Sequence, residues 1–407
     1  SGRLGGHADA GLVESENFQD KPAVAATRAP LLLAAIIIVI GINITAAKRG
    51  NYPRWQKFIA NTETLVRSFD RPARPGFFQL GKDDNWLRVD SISRNVPGLG
   101  IKQIVVETIN GDVSVTGKNS FAIGIEAIRW AQGNDYDEAL ANADRMEFEV
   151  VQSNDTLIIK EKGLAADSQL ASIDIQIFAP SIPVVRVQTS SGNVRVEDMQ
   201  EGATVTTTSG HVTIFGGSYA KVSSTSGNLE VAGIRGPTSV QTTSGKIKLY
   251  DNNYGKIEAH TTSGDIEIDD LGGSLQASSI SGNILLKSCR YSDTIAFSTT
   301  SGDIVANLYL DTRRYYENQN LSEFSATTIS GSIDLTLPAA PNASLELHSQ
   351  AGQIDCDLPL ENRETKRGYL SGTLGDPSAS ITAASTSGDI SVSTLPNPDD
   401  EEENDDV

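Results

Sequence analysis

Carboxylates are the side chains of this chain best placed to do chemistry. Asp265, Glu267, Asp269 and Asp270 crowd one short segment, and Asp399, Asp400, Glu401, Glu402, Glu403, Asp405 and Asp406 nearly end the sequence. Two facing carboxylates can cleave a glycosidic bond, and several can hold calcium against a sugar acid when a basic residue stands nearby. A structural zinc site usually needs four clustered Cys or His ligands. The chain has two Cys and four His, with His211, His260 and His348 far apart in sequence. Lys plus Arg number 33 against 52 Asp plus Glu, a net charge of −19, which opposes binding to nucleic acid. No catalytic, cofactor-binding or metal-ligating set emerges, and no cofactor is expected.

The elements that must position these residues are written in a repeat. Two or three Ser/Thr followed by Gly recur with Gly at 192, 210, 227, 245, 264, 282, 302 and 331, at spacings of 17 to 20 and one of 29. Two residues after these glycines stand Val194, Val212, Leu229, Ile247, Ile266, Ile284, Ile304 and Ile333. Four after stand Val196, Ile214, Val231, Leu249, Ile268, Leu286, Ala306 and Leu335; five before stand Val187, Val205, Val222, Val240, Ala259, Ala277, Phe297 and Ala326. A period of two on both sides of one Gly means two strands meeting at a sharp corner. The spacing predicts an all-β, single-stranded β-helix or β-solenoid with turns of about 18 residues. The pattern weakens at Gly352 and ends at Gly388. With Gly372 included, about ten turns follow residue 185, a stack of roughly 45 to 50 Å. Residues 109–115 carry the same corner and predict an initial turn; between it and the array, 136–146 reads as a helix, with 147–151 and 156–160 as a hairpin.

Within this frame the residue after each corner Gly faces outward: Asn193, His211, Asn228, Lys246, Asp265, Asn283, Asp303 and Ser332. Its charge changes from turn to turn, and no turn beside Asp265 supplies a matching acidic pair with a basic partner. A solvated ladder is expected here. Cys289 and Cys356 fall about three turns apart, roughly 14 Å at the strand spacing, too far for a disulfide. The 29-residue interval must loop out of the solenoid and carries Arg313, Arg314, Tyr315 and Tyr316; residues 359–376 form a second protrusion with Arg363, Lys366, Arg367 and Tyr369. Arg with Tyr is typical contact-surface chemistry, so both groups are candidate protein contacts.

Residues 31–47 contain no charge, and with Ala29 and Pro30 the stretch nearly spans a bilayer. Beyond it a basic segment, 48–75, carries Trp55, Phe58, Ile59, Leu65, Val66 and Phe69 at helical spacing. Arg54, Trp55, Lys57, Phe58, Arg67 and Phe69 are candidate membrane-interface residues; the same helix could instead cap the open end of the solenoid. The expected organisation is a disordered tail over 1–28, a transmembrane helix over 29–47, the basic amphipathic helix and linker over 48–75, the solenoid over 76–395 and an acidic disordered tail over 396–407.

The run SIDIQIFAPSIPVVRVQTSSGNVRVEDMQ at 172–200, the TTSG-type turns after it and GYLSGTLGDPSASITAASTSGDISV at 368–392 resemble the adhesin-like family of domain of unknown function 4097 (DUF4097) over residues 84–395. That family is similar to membrane-anchored envelope proteins of the bacterial LiaG type and to head domains of autotransporter adhesins. The resemblance implies a right-handed β-helix or β-roll, non-catalytic, behind one N-terminal span, and brings no catalytic residues. The basic juxtamembrane segment and the acidic tail depart from it. Three functions are compatible with this sequence: a membrane-anchored, adhesin-like binding or scaffold module at the cell envelope; an accessory subunit bracing a larger membrane complex; and a carbohydrate-active β-helix enzyme. The first is expected, with the bilayer and other membrane or envelope proteins as partners; carbohydrate is a compatible ligand without a supporting motif. The resemblance places the solenoid outside the cytoplasm, whereas Lys48, Arg49, Arg54 and Lys57 after the span argue the other way.

Overall fold

A coil of two short strands has one apolar face per strand and nothing of its own to cover it, so the aliphatic columns can be buried only by stacking. The computed structural model describes residues 86–162, 170–291, 293–308, 321–337 and 342–394. In it the repeats stack as parallel coils, each giving one strand to a 14-stranded sheet and one to a 15-stranded sheet. Like residues pair directly: Val205 with Val187 and Val222, Val212 with Val194 and Leu229. From the coil of Gly192 to that of Gly331, all three aliphatic columns are buried in one continuous core. The expected all-β solenoid is thus the observed architecture.

The corner is held by two ladders of polar groups. Three residues before each Gly a hydroxyl turns inward, and Ser279, Thr299, Thr328, Ser385 and Ser349 each donate to the corner-glycine carbonyl of the coil below, at 2.8 to 3.1 Å. The residue after the Gly does more than face solvent. Asn193, Asn228, Asp265, Asn283, Asp303 and Asp389 each accept the backbone N–H of the same position in the next coil. Side-chain oxygens thereby continue the hydrogen-bond ladder around a bend where the strands are interrupted.

Spatial order differs from chain order at both ends. The coil of Gln103–Glu107 and Val113–Lys118 is not the outermost. Thr156–Lys162 and Ala171–Pro180 stack outside it, while Val184–Thr189 and Val194–Glu197 take its inner side. At the other end Ala379–Ser387 and Ile390–Thr394 are inserted between the coil of Glu323–Ser330 and Ile333–Leu337 and the coil of Ala343–Ser349 and Ile354–Cys356. The corner of Gly388 therefore precedes that of Gly352, and Gly372 is no corner: it lies within the strand Tyr369–Leu374. Without it, ten coils follow residue 185, and two more precede them.

Antiparallel strands close both sheets at the N-terminal end and the 15-stranded sheet at the C-terminal end. Trp86–Pro97 and Ala122–Gln132 cover Ala171–Pro180, Glu147–Ser153 covers Thr156–Lys162, and Tyr369–Leu374 with Glu361–Lys366 covers Ala343–Ser349. Reversed strands stop the parallel ladder at three of the four sheet edges; the fourth is the short parallel strand Ile354–Cys356 at the C-terminal end of the 14-stranded sheet. The expected helix spans Tyr136–Ala143 with Asp135 as its N-cap, and the expected hairpin follows it. Arg129 fixes the helix end, bonding Asp90, Asp144 and the Ala143 carbonyl. The span at 29–47, the segment 48–75 with Arg54, Trp55, Lys57, Phe58, Arg67 and Phe69, and both tails lie outside the described residues. Among the described residues no helix is long and apolar enough to cross a membrane.

Candidate functional site

The acidic segment is committed to holding coils together. Asp265 accepts the Asn283 N–H, Asp269 accepts the Ser288 hydroxyl, and Glu267 is clamped between Lys246 and Lys287, which hold its carboxyl down to about 2. On the same sheet face Glu230 lies 3.7 Å from both His211 and Lys248, and Arg195 pairs with Glu197. These groups neutralise one another across a sheet face. His260 bonds Ser278, coils away from His211. Cys289 and Cys356 are buried thiols not joined by a disulfide, and the inserted C-terminal coil separates them by one coil more than chain order implies.

Two carboxylates missed by the spacing end the polar ladders. Glu161 takes the hydroxyl column one coil outside Thr108, accepting from the Thr108 hydroxyl and from the N–H groups of Ile109 and Asn110. Asp174 takes the Asn/Asp column, and its Oδ1 accepts the Asp112 N–H at 2.8 Å. Burial, reinforced by the Asp112 carboxylate, pushes Asp174 up to about 7; burial also raises Glu161. The folded chain therefore holds a proton at Asp174 that the unfolded chain releases. Its contribution to stability is complete below pH 4 and is lost as pH rises through about 7. Asp174→Asn keeps the acceptor without the charge. We expect it to melt above the parent at pH 8, by on the order of 1 kcal/mol, with the gap closing at pH 5. Thermal melts across that range with parallel curves would contradict this assignment.

An open depression lies at the C-terminal end of the stack. It has a volume of about 540 Å³ and is lined by Thr327, His348, Gln350, Arg367, Thr386 and Ala384, with Thr328, Ser349, Ser385 and Gly368 beneath or beside them. Its origin is a difference in side-chain size. Four residues before the corner Gly, Thr327, Ala384 and His348 are paired neighbours in successive coils. The single methyl of Ala384 leaves a trough between two larger side chains about 10 Å apart.

One wall is the turn at Arg367 and Gly368, anchored by the Ser349 N–H donating to the Gly368 carbonyl at 3.0 Å. Behind His348, the Tyr369 ring packs at 4.7 Å between centroids, and Lys366 lies over Tyr369 while pairing with Glu364. His348 bonds Glu346 at 3.1 Å. Arg367 is exposed and makes no ion pair among the described residues. An uncommitted guanidinium beside hydroxyls, an amide and a supported ring can bind a polar ligand with an anionic group.

Of the residues expected to make contacts, Arg367 lines this groove, Tyr369 and Lys366 support it, and Arg363 stands on the exposed strand Glu361–Lys366. Arg313, Arg314, Tyr315 and Tyr316 lie outside the described residues. The described residues on either side of them, Leu308 and Leu321, are buried at the edge opposite the glycine corner, where the hairpin of Glu361–Lys366 and Tyr369–Leu374 also joins the stack, while the tip of that hairpin at Arg367 and Gly368 reaches the corner. Gln350, Thr386 and His348 were missed as site residues. An alanine at the offset of Ala384 is legible once the turns are aligned, but its neighbours are not.

The family model described as Toastrack DUF4097 matches residues 87–250, 217–319 and 313–393. Similar solved structures include a candidate adhesin from Bacteroides fragilis, at 14% identity and a TM-score of 0.30, covering 75% of this chain and 97% of that one. Another is a candidate adhesin from Parabacteroides distasonis, at 11% and 0.33 with coverage of 75% and 97%. A third is a candidate cell adhesion protein from Clostridium sporogenes, at 7% and 0.19 with 75% and 99%. No curated protein matches.

Proposed function

The chain belongs to the Toastrack DUF4097 family, and from that premise we propose that it is a non-catalytic, adhesin-like binding module, anchored in a membrane by residues 31–47 with its solenoid outside the cytoplasm. Its ligand is an acidic saccharide taken by the groove at the C-terminal end. One observation carries this reading: the trough over Ala384 is walled by an Arg367 that no described carboxylate neutralises. A guanidinium matches a sugar carboxylate, hydroxyls and the Gln350 amide match its hydroxyl groups, and the His348 ring offers a face for the pyranose. Rigidity supports the role, since a groove carried on stacked coils is bound with little ordering of the protein.

The test uses the full chain and two trisaccharides, trigalacturonate and neutral maltotriose. Titration calorimetry is expected to show saturable binding of trigalacturonate, weakened about tenfold or more in Arg367→Ala, with the melting temperature unchanged because Arg367 is exposed. Absence of binding, equal binding of maltotriose, or an indifferent variant refutes the ligand assignment. Release of new reducing ends from trigalacturonate refutes the non-catalytic reading.

A further inference from the structure

Large apolar side chains stand exposed at one edge of the opposite, N-terminal end. Leu99, Phe121 and Ile182 are 86%, 88% and 64% exposed. They occupy three loops at which the outermost strands turn from one sheet to the other or reverse. These loops touch: the Gly98 N–H donates to the Phe121 carbonyl at 2.8 Å, and a Cβ on Gly98 would meet Pro180 Cγ at 2.8 Å. Beside them Phe178 is 44% exposed, with the Lys118 ammonium 5.8 Å from its ring centre. A single exposed leucine is ordinary, but three bulky apolar tips gathered at one edge form a patch that folding does not require.

We propose that this edge enters the headgroup–acyl boundary of the bilayer, with Leu99, Phe121 and Ile182 as the inserted side chains and Lys118 at the phosphate level. The inference rests on the anchored reading above. Three observations favour lipid as the occupant. The patch is made of projecting tips rather than a groove, which suits a fluid surface better than a complementary protein. The uncharged segment 31–47 lies upstream, and residues 48–85 between it and the first described strand could reach up to ~130 Å, so the bilayer is within range. Finally, the patch sits at the end of the stack away from the Arg367 groove, with about 45 Å of coils between them. Docking by the tips holds the groove away from the membrane, as ligand capture needs.

The full chain, incorporated into four-to-one phosphatidylcholine–phosphatidylglycerol vesicles carrying nitroxide acyl chains, provides the test. A fluorophore is attached through Phe121→Cys, Ile182→Cys or, at the far end of the stack on the same edge, Asp376→Cys; native Cys289 and Cys356 are buried. Quenching at 121 and 182 is expected to exceed that at 376 at least about threefold. Melting temperatures should stay unchanged, because the replaced side chains are exposed. Equal quenching at the three sites in vesicle-bound protein overturns the insertion while leaving the anchor intact. A chain that fails to float with the vesicles overturns both. A dimer in detergent that dissociates on Phe121→Ser reassigns the patch to a second copy and also overturns the proposal.

Discussion

Gly210→Ala is expected to destabilise the solenoid by about 3 kcal/mol or more, enough to compromise expression of soluble protein. A Cβ at this position would lie 2.1 Å from the Gly192 carbonyl oxygen, with φ at +115°. That oxygen is backbone of the coil below, so it cannot retreat without parting two coils. Gly100→Ala separates the two causes. Gly100 has φ of +88° but nothing within 4 Å of its Cβ, so only backbone strain of about 1 kcal/mol remains. Urea unfolding of both variants measures the difference. Equal losses would mean that close stacking of corners is not what demands glycine.

Ending the chain after Pro377 is expected to unravel more than the residues removed. The missing segment includes Ile381, Ala383, Ile390 and Val392, all buried, and both strands that pair the terminal coil to the body. Ala343–Ser349 and the hairpin Glu361–Lys366 and Tyr369–Leu374 then lose the neighbour they pack on, and the groove loses its Ala384 floor. Hydrogen exchange should show protection vanishing across residues 343–374, whereas ending the chain after Leu395 should leave it intact. Persistent protection in the shorter chain would show that the terminal coil restacks directly on Glu323–Ser330, and that the inserted coil is dispensable.

Much of this fold was legible in advance. The columns headed by Val194, Val196 and Val187 recur because each coil buries its aliphatics on the same columns of the next, a local rule that leaves a local trace. The helix over 136–146 and the following hairpin were readable for a similar reason: capping and alternation are short-range. The order of the end coils was not legible. The pairs Ala383 with Leu347 and Val113 with Ile175 obey the same column rule whichever coil is adjacent, so periodicity cannot distinguish a coil added at the end from one inserted between two others.

The groove follows the same division. Arg367 and Tyr369 stood out by residue type, whereas His348 was one of three scattered histidines and Gln350 and Thr386 carried no signal of their own. Glu161 and Asp174 showed no acidic motif, because they serve as ladder ends rather than as a pair in sequence. Residue pattern by itself determined the coil, its period, its inward columns and the need for glycine at the corner, since these depend on neighbours one strand apart. Only the tertiary structure decided which coil follows which, where the ladders stop and what Ala384 lies between. Those outcomes come from contacts between segments distant in the chain, and many pairings of such segments satisfy the same local pattern equally well.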